Sequence, residues 1–221
     1  MLPQPDNRRP LKSRGAAWAR SLAAGLARGG GSPDIISAFS LTFAILGATL
    51  FFIAGTAAGV MRGVLLLLAA LCIQLRLVCN LLDGMVAVEH GKGSSAGPIW
   101  NELPDRFADT LFLVSAGYAA DLGGVHGAAV AGWLAAVGAL ICAYVRELGR
   151  GLGFPADFSG PMAKPQRMAA LTLAAVVAAV EPLWGWRGQS LAIGMVVIAL
   201  GAFLTVGRRT RTLARRLAER S

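Results

Sequence analysis

Oxygen-bearing side chains recur at helical spacing in "NLLDGMVAVEHGKGSSAGPIWNELPDRFAD", residues 80–109. Asn80 and Asp83 are three apart, so on a helix they share a face, with Gly84 and Ala87 beside Asp83 leaving room for a ligand. Asn101, Asp105 and Asp109 follow at intervals of four and form a second stripe. Two such stripes facing each other across a helical hairpin bring carboxylate and amide oxygens to one point. That set suits Mg²⁺ or a similar hard cation bridging phosphates. For any single residue the plainer reading is a helix-end group making caps and ion pairs with Arg76 or Arg106. For the set, ionisable groups beside long apolar runs are costly and point to function.

The surroundings of this stretch are apolar. Of 221 residues, 55% are hydrophobic and only 15% charged, and the mean hydropathy is +0.59, outside the usual range of soluble chains. Runs of about 20 such residues span a bilayer core. The expected fold is an all-α integral membrane protein with six transmembrane helices, over 34–56, 60–88, 98–120, 125–149, 162–182 and 188–207. Ser32 is the expected N-cap of the first span and Pro33 its first residue. Before it, residues 11–28 mix Leu11, Trp18, Leu22 and Leu26 with Lys12, Arg14, Arg20 and Arg28, as an amphipathic helix lying at a membrane interface does. Three units are expected: a basic N-terminal tail and interfacial helix over 1–31, the six-span domain over 32–207, and a basic cytoplasmic tail over 208–221. Cys72, Cys79 and Cys142 fall in or near apolar runs and read as small buried hydrophobes. No removable leader is expected, since the first residues are polar and basic.

A net charge of +9 raises the question of nucleic acid, but the basic residues gather at the two ends and in short loops between apolar runs. That pattern follows the positive-inside rule, and no nucleic-acid partner is expected. Arg146, Arg150, Lys164 and Arg167 bracket the loop between the fourth and fifth spans, whereas "DLGG", between the third and fourth, has neither Lys nor Arg. Both termini are therefore expected in the cytoplasm and the protein in the inner, cytoplasmic membrane, crossing it several times. Trp184 and Trp186 in "PLWGWRG" would anchor the opposite interface. Small residues throughout the spans permit close helix packing and a homodimer.

Written as Asn80-x2-Asp83-Gly84-x2-Ala87-Val88-x8-Gly97-x3-Asn101-x3-Asp105, the stretch resembles the signature of the CDP-alcohol phosphatidyltransferase family, D-x2-D-G-x2-A-R-x8-G-x3-D-x3-D. Every interval matches. The resemblance implies an N-terminal amphipathic helix and six spans, with "SPDIIS" similar to the family's Pro-Asn start of the first span and Lys164 where members often have Lys. It implies transfer of a phosphatidyl or related phospho-group from a CDP-linked lipid such as CDP-diacylglycerol to an alcohol acceptor, releasing CMP, in phospholipid biosynthesis. It also implies Mg²⁺ or Mn²⁺ as cofactor. Carried over by position, Asn80, Asp83 and Asn101 are metal ligands, with Asp105 as the catalytic base that also touches metal, while Gly84, Ala87 and Gly97 line the nucleotide site. Arg146 and Lys164 are the cations expected to meet phosphate, or else charges that only set topology.

Three positions depart from the signature: Asn80 and Asn101 replace its first and third Asp, and Val88 its Arg. Each Asp-to-Asn change removes a full negative charge, so divalent affinity falls and one metal ion is expected rather than two. Asp109 and Glu102 would restore some of that charge, and Lys92 is a candidate to replace the missing Arg. A second register takes Asp105 and Asp109 as the last two acidic positions. It keeps three carboxylates, but puts Asn101 where the signature has Gly and lengthens the gap by four residues. The alternative to an enzyme is a regulatory relative that binds a CDP-linked lipid with weak or lost turnover. A transporter is disfavoured because the acidic residues cluster at one end of the spans.

Overall fold

The computed structural model describes residues 15–91 and 93–220. The basic tail expected over 1–10, the start of the interfacial helix with Leu11, Lys12 and Arg14, and the loop residue Lys92 lie outside the described residues. Among the described residues seven α-helices follow one another: α1 (Ala17–Arg28), α2 (Pro33–Thr56), α3 (Gly59–Glu89), α4 (Gly97–Leu122), α5 (Ala128–Gly151), α6 (Lys164–Val180) and α7 (Gln189–Ala218). A 3₁₀ turn over Glu181–Trp184 joins the last two.

Local chemistry sets several boundaries. The Ser32 side chain accepts the Ile35 amide at 3.2 Å and Pro33 opens α2, as the sequence leads one to expect. Only Ala57 and Ala58 separate α2 from α3, so the two must run antiparallel. The Asp121 carboxylate accepts the Gly127 amide at 2.7 Å and closes the short α4–α5 turn. Continuous helix-forming sequence carries α7 beyond the expected span to Ala218, so residues 208–218 extend the last helix.

Helices α2 to α7 close into a ring in which α2 packs on α3 and α4, α4 on α5, α5 on α7, α7 on α6, and α6 back on α3. Small residues allow the tightest crossing. A Cβ added at Gly117 of α4 would lie 2.8 Å from the Gly132 Cα of α5, so both must lack a side chain for these backbones to meet. Helix α1 lies outside the ring, packing Ala19 and Ala23 on Leu81, Leu82, Met85 and Val86 of α3. Its Trp18 and Leu22 stay exposed.

Among the described residues five helices, α2, α3, α5, α6 with its 3₁₀ turn, and α7, are long and apolar enough to cross a membrane. Helix α4 is equally long but carries Glu102, Asp105, Arg106 and Asp109 in its first half. The outer surface shows large apolar side chains such as Phe39, Phe52, Val60, Leu173 and Leu204. The interior is the reverse, because its three largest fully buried side chains are Arg62, Arg76 and Arg167. An apolar exterior around buried charge is the pattern of a multi-pass membrane protein.

Arg62 sits at the end of the bundle where α2 meets α3. Its guanidinium donates to the Ala54 carbonyl at 2.8 Å and to Glu181 at 3.2 Å, and both side chains are at most 1% exposed. Glu181 also accepts the amides of Gly188 and Ser190, capping the start of α7. One ion pair thus ties the ends of α2, α3, α6 and α7. Removing one partner from such a pair leaves an uncompensated buried charge. Glu181→Ala is expected to lower the unfolding free energy in detergent by about 3–5 kcal/mol, and Arg62→Met with Glu181→Gln to recover most of it. Equal losses in the single and double variants would mean that the pair carries no such coupling.

Candidate active site

The hydrophilic side chains of α3, α4 and α6 converge inside the ring. Asp105 is the centre. One of its carboxylate oxygens accepts from Arg76 and from the Asn80 amide nitrogen, the latter at 2.5 Å. The other accepts from Lys164, the first residue of α6, with Arg106 at 3.6 Å. Asp109, one turn deeper on α4, accepts from Arg167 at 2.6 Å and lies 3.9 Å from Arg76. Asp83 accepts the Ser37 hydroxyl of α2 at 2.5 Å.

These groups lie well inside the helices. Arg76 is thirteen residues before the end of α3 at Glu89, roughly 20 Å along the axis. Asp83 and Asp109 are almost fully buried, as are Arg76 and Arg167, while the Lys164 side chain keeps 21% of its exposure. Lys164, with Arg106 on the rim, therefore has a path to the exterior that Arg76 and Arg167 lack.

A second polar layer lies toward the loop end. Glu102 pairs with Arg106 at 3.3 Å and with Arg146 of α5, whose Nε also reaches Glu147 at 2.8 Å. Arg146 stacks over the Phe158 ring, 5.6 Å from its centroid. Arg209 of α7 holds this loop by donating to the Ser159 carbonyl at 2.9 Å, and grips α5 at the Cys142 carbonyl at 2.8 Å. Burial pushes the Asp157 carboxyl up, but the hydrogen bonds from Ser159 outweigh it and hold the group below the ordinary carboxylate range.

The structure gathers Asn80, Asp83, Asp105, Asp109 and Lys164 of the expected site residues. Gly84 and Ala87 lie half-buried on α3 just beyond Asp83. Asn101 is exposed on α4 and does not join the carboxylates. Gly97 opens α4 two turns before Asp105, where an added Cβ would meet only the Ser94 hydroxyl, at 3.7 Å. Arg146 belongs to the outer layer with Glu102. Arg76 was legible only as a possible ion-pair partner, although an arginine inside a long apolar run is itself a signal. Nothing in the sequence pointed to Ser37.

Among the described residues, no three of His, Cys, Asp and Glu are gathered tightly enough to clasp a metal ion as they stand. Lys164 and Arg76 hold Asp105 instead. Yet Asp83 Oδ1 and Asp109 Oδ1 are buried without a hydrogen-bond partner. Such orphaned carboxylate oxygens are costly unless a cation meets them. The donors are all oxygens, which fits a hard divalent ion, with Lys164 as the competing cation.

The two stripes differ in what they hold up. Asp109→Ala leaves Arg167 buried without its carboxylate and is expected to cost about 3–5 kcal/mol, whereas Asn101→Ala is expected to change stability by no more than about 0.5 kcal/mol. Chemical denaturation in detergent compares them directly, and similar losses would contradict this placement.

No family profile matches the chain. It is 33% identical over 154 residues to the bifunctional IPC transferase and DIPP synthase of Rubrobacter xylanophilus, over 67% of this chain and 32% of that protein. It thus spans about a third of that relative's length. With the phosphatidylinositol phosphate synthase of Mycobacterium marinum it shares 27% identity over 213 residues, 92% of this chain and 83% of the relative. Its fold matches the crystal structure of Mycobacterium tuberculosis phosphatidylinositol phosphate synthase with CDP-DAG bound, with a TM-score of 0.73 at 23% identity over 90% of this chain and 94% of that one. The same enzyme in complex with manganese and citrate gives a TM-score of 0.72 at 23% identity, covering 88% of each chain. Relatives along the sequence agree with the motif of residues 80–109, in which the chain is similar to the CDP-alcohol phosphatidyltransferases, and the neighbours in structure share its fold.

Proposed function

We propose that this protein transfers a phosphatidyl or related phospho-group from a CDP-linked lipid to an alcohol, with release of CMP, as a step of phospholipid biosynthesis. The observation that carries the proposal is the burial of Asp83, Asp105 and Asp109 in the interior shared by α3, α4 and α6, with Asp105 and Asp109 both facing Arg76 and with unpartnered oxygens on Asp83 and Asp109. Relatives and fold neighbours of CDP-lipid chemistry support it.

The geometry favours the register in which Asp105 and Asp109 are the last two acidic positions. Asp83, Asp105 and Asp109, with the Asn80 amide oxygen, would then hold Mg²⁺ or Mn²⁺, the latter a ligand of the fold neighbour. Held there, such an ion would supply positive charge to polarise a phosphoryl oxygen and offset the charge of the pyrophosphate. Asn101 falls where the signature has Gly, and its exposure suits a place beside the donor better than one on the metal. Asp109, rather than Asp105, becomes the base that takes the proton of the acceptor hydroxyl, for which it must come within hydrogen-bond reach.

The remaining side chains have complementary work. Gly84 and Ala87 keep α3 low beside Asp83, leaving space for cytidine. Lys164 can leave Asp105 for a phosphate oxygen because it is partly exposed, on a flexible stem. Arg146 is neutralised by Glu102 and Glu147 and frames the mouth through which the acceptor comes. The surrounding apolar bundle excludes bulk water from the reacting phosphate, which strengthens each of these interactions.

Six spans fit the ring better than five, since α4 packs on α2 and α5 and turns Asp105 and Asp109 to the cations of α3 and α6. Helix α1, with Ala19 and Ala23 inward and Trp18 outward, lies at the interface on the site side. The basic ends put both termini in the cytoplasm of an inner-membrane protein, in which residues 32–207 form the catalytic domain, 1–31 the interfacial unit and 208–221 a basic extension. A homodimer through small-residue faces is compatible with this arrangement.

Purified protein in lipid nanodiscs is expected to release CMP from CDP-diacylglycerol in the presence of Mn²⁺ or Mg²⁺ and a suitable alcohol, surveyed across glycerol 3-phosphate, serine, inositol phosphate and phosphatidylglycerol. Asp109→Asn is expected to lower the rate by about 10²- to 10⁴-fold, the range of a lost general base, with Asn101→Ala close to wild type. Binding of CDP-diacylglycerol without release with any acceptor would support the regulatory reading instead. Loss at Asn101 equal to that at Asp109 would restore the first register.

A further inference from the structure

We infer that Arg76 is a resident cation of the carboxylate cluster, standing where a second metal charge would otherwise be needed, so that the site binds one divalent ion and not two. The inference rests on the metal-binding reading above. It starts from a contrast among the three buried arginines. Arg62 straps the Ala54 carbonyl to Glu181, and Arg167 donates to the Met162 carbonyl as well as to Asp109. Both join backbone to side chain, as structural arginines do. Arg76 is fully buried too, yet its one hydrogen bond runs to Asp105, its nearest other carboxylate is Asp109 at 3.9 Å, and, beyond the Nε that lacks a partner in all three arginines, its Nη1 has none either.

Its effect on Asp105 is specific. A carboxylate that bridges two metal ions with one on each oxygen must offer a lone pair from each. Asp105 Oδ1 already accepts from Arg76 and from Asn80, and only Oδ2, held by Lys164, can be released to a metal. Asn80 contributes twice, since as an amide it brings no charge and its N–H fills the same oxygen. Charge points the same way. Three carboxylates face Arg76, Arg167 and Lys164, while Arg106, 3.6 Å from Asp105, is matched by Glu102; when the partly exposed Lys164 withdraws, the two fully buried guanidinium groups leave one negative charge for an incoming ion. Arg76 is thus a positioning residue for the metal and not a group that touches the reacting atoms.

The test is a Mn²⁺ titration of the full chain in nanodiscs, with free Mn²⁺ read by electron paramagnetic resonance, both alone and with CDP-diacylglycerol. Wild type, Asn80→Asp and Arg76→Lys are each expected to bind one Mn²⁺ per chain. Arg76→Met combined with Asn80→Asp is expected to bind two, with the broadened spectrum of a spin-coupled pair. Two ions in wild type or in Asn80→Asp alone would overturn the inference while leaving the metal reading intact. So would one ion in a double variant that keeps its cooperative melting transition. No Mn²⁺ in wild type under either condition would overturn the inference and the metal reading together. If the double variant does not fold, the wild-type and Asn80→Asp stoichiometries still decide.

Discussion

A charge inside a bundle that faces lipid has no water to fall back on, and leaving one unpaired costs several kcal/mol. Here Asp83, Asp105 and Asp109 share an interior with Arg76, Arg167 and Lys164. Each sign makes the other tolerable, and the helices that carry them are fixed in relative rotation as a result. Helix α4 can lie within the ring only because α3 and α6 turn their cations toward it. The same requirement explains why the largest buried side chains are arginines while phenylalanine and leucine face outward. The site is therefore not an addition to a finished scaffold. It is part of what holds α3, α4 and α6 together.

The two ends of the bundle use buried charge differently. At one end Arg62 and Glu181 satisfy backbone groups at helix termini and have no exposed member. At the other, orphaned oxygens on Asp83 and Asp109 and a partly exposed Lys164 leave the cluster incompletely matched. A hydrogen-bonded network of buried charge rigidifies what it joins, and carboxylate oxygens left without a partner are places that a cation can take. The residues of the α5–α6 connection, tied down by Arg209 and by Arg146 over Phe158, border that second end.

Much of this was legible in the sequence. Apolar runs gave the helices to within a few residues, and Ser32 with Pro33 marked the start of α2 because capping is local chemistry. The expected end at residue 207 fell short of Ala218, because a basic helix outside an apolar run keeps its backbone bonds without needing lipid. The choice of register was harder for a physical reason. Interval matching treats the connection after α3 as a fixed ruler, but a loop accepts extra residues without moving the helices it joins. The spacing of four between Asp105 and Asp109 is fixed by the helix itself, and it is this pair that the fold buries, with Asn101 left outside. Arg76 and Glu181 found their partners across 29 and 119 residues, a pairing that no local pattern encodes.

If donor and metal meet at the cluster around Asp105, and not at the stripe through Asn101, crystals grown with Mn²⁺ and CDP-diacylglycerol will show it by anomalous diffraction. The expected manganese peak lies in bonding contact with oxygens of Asp83, Asp105 and Asp109, with Lys164 turned from Asp105 to a donor phosphate. A peak coordinated by Asn101, or donor bound with Lys164 still on Asp105 and no manganese beside it, would place the chemistry elsewhere.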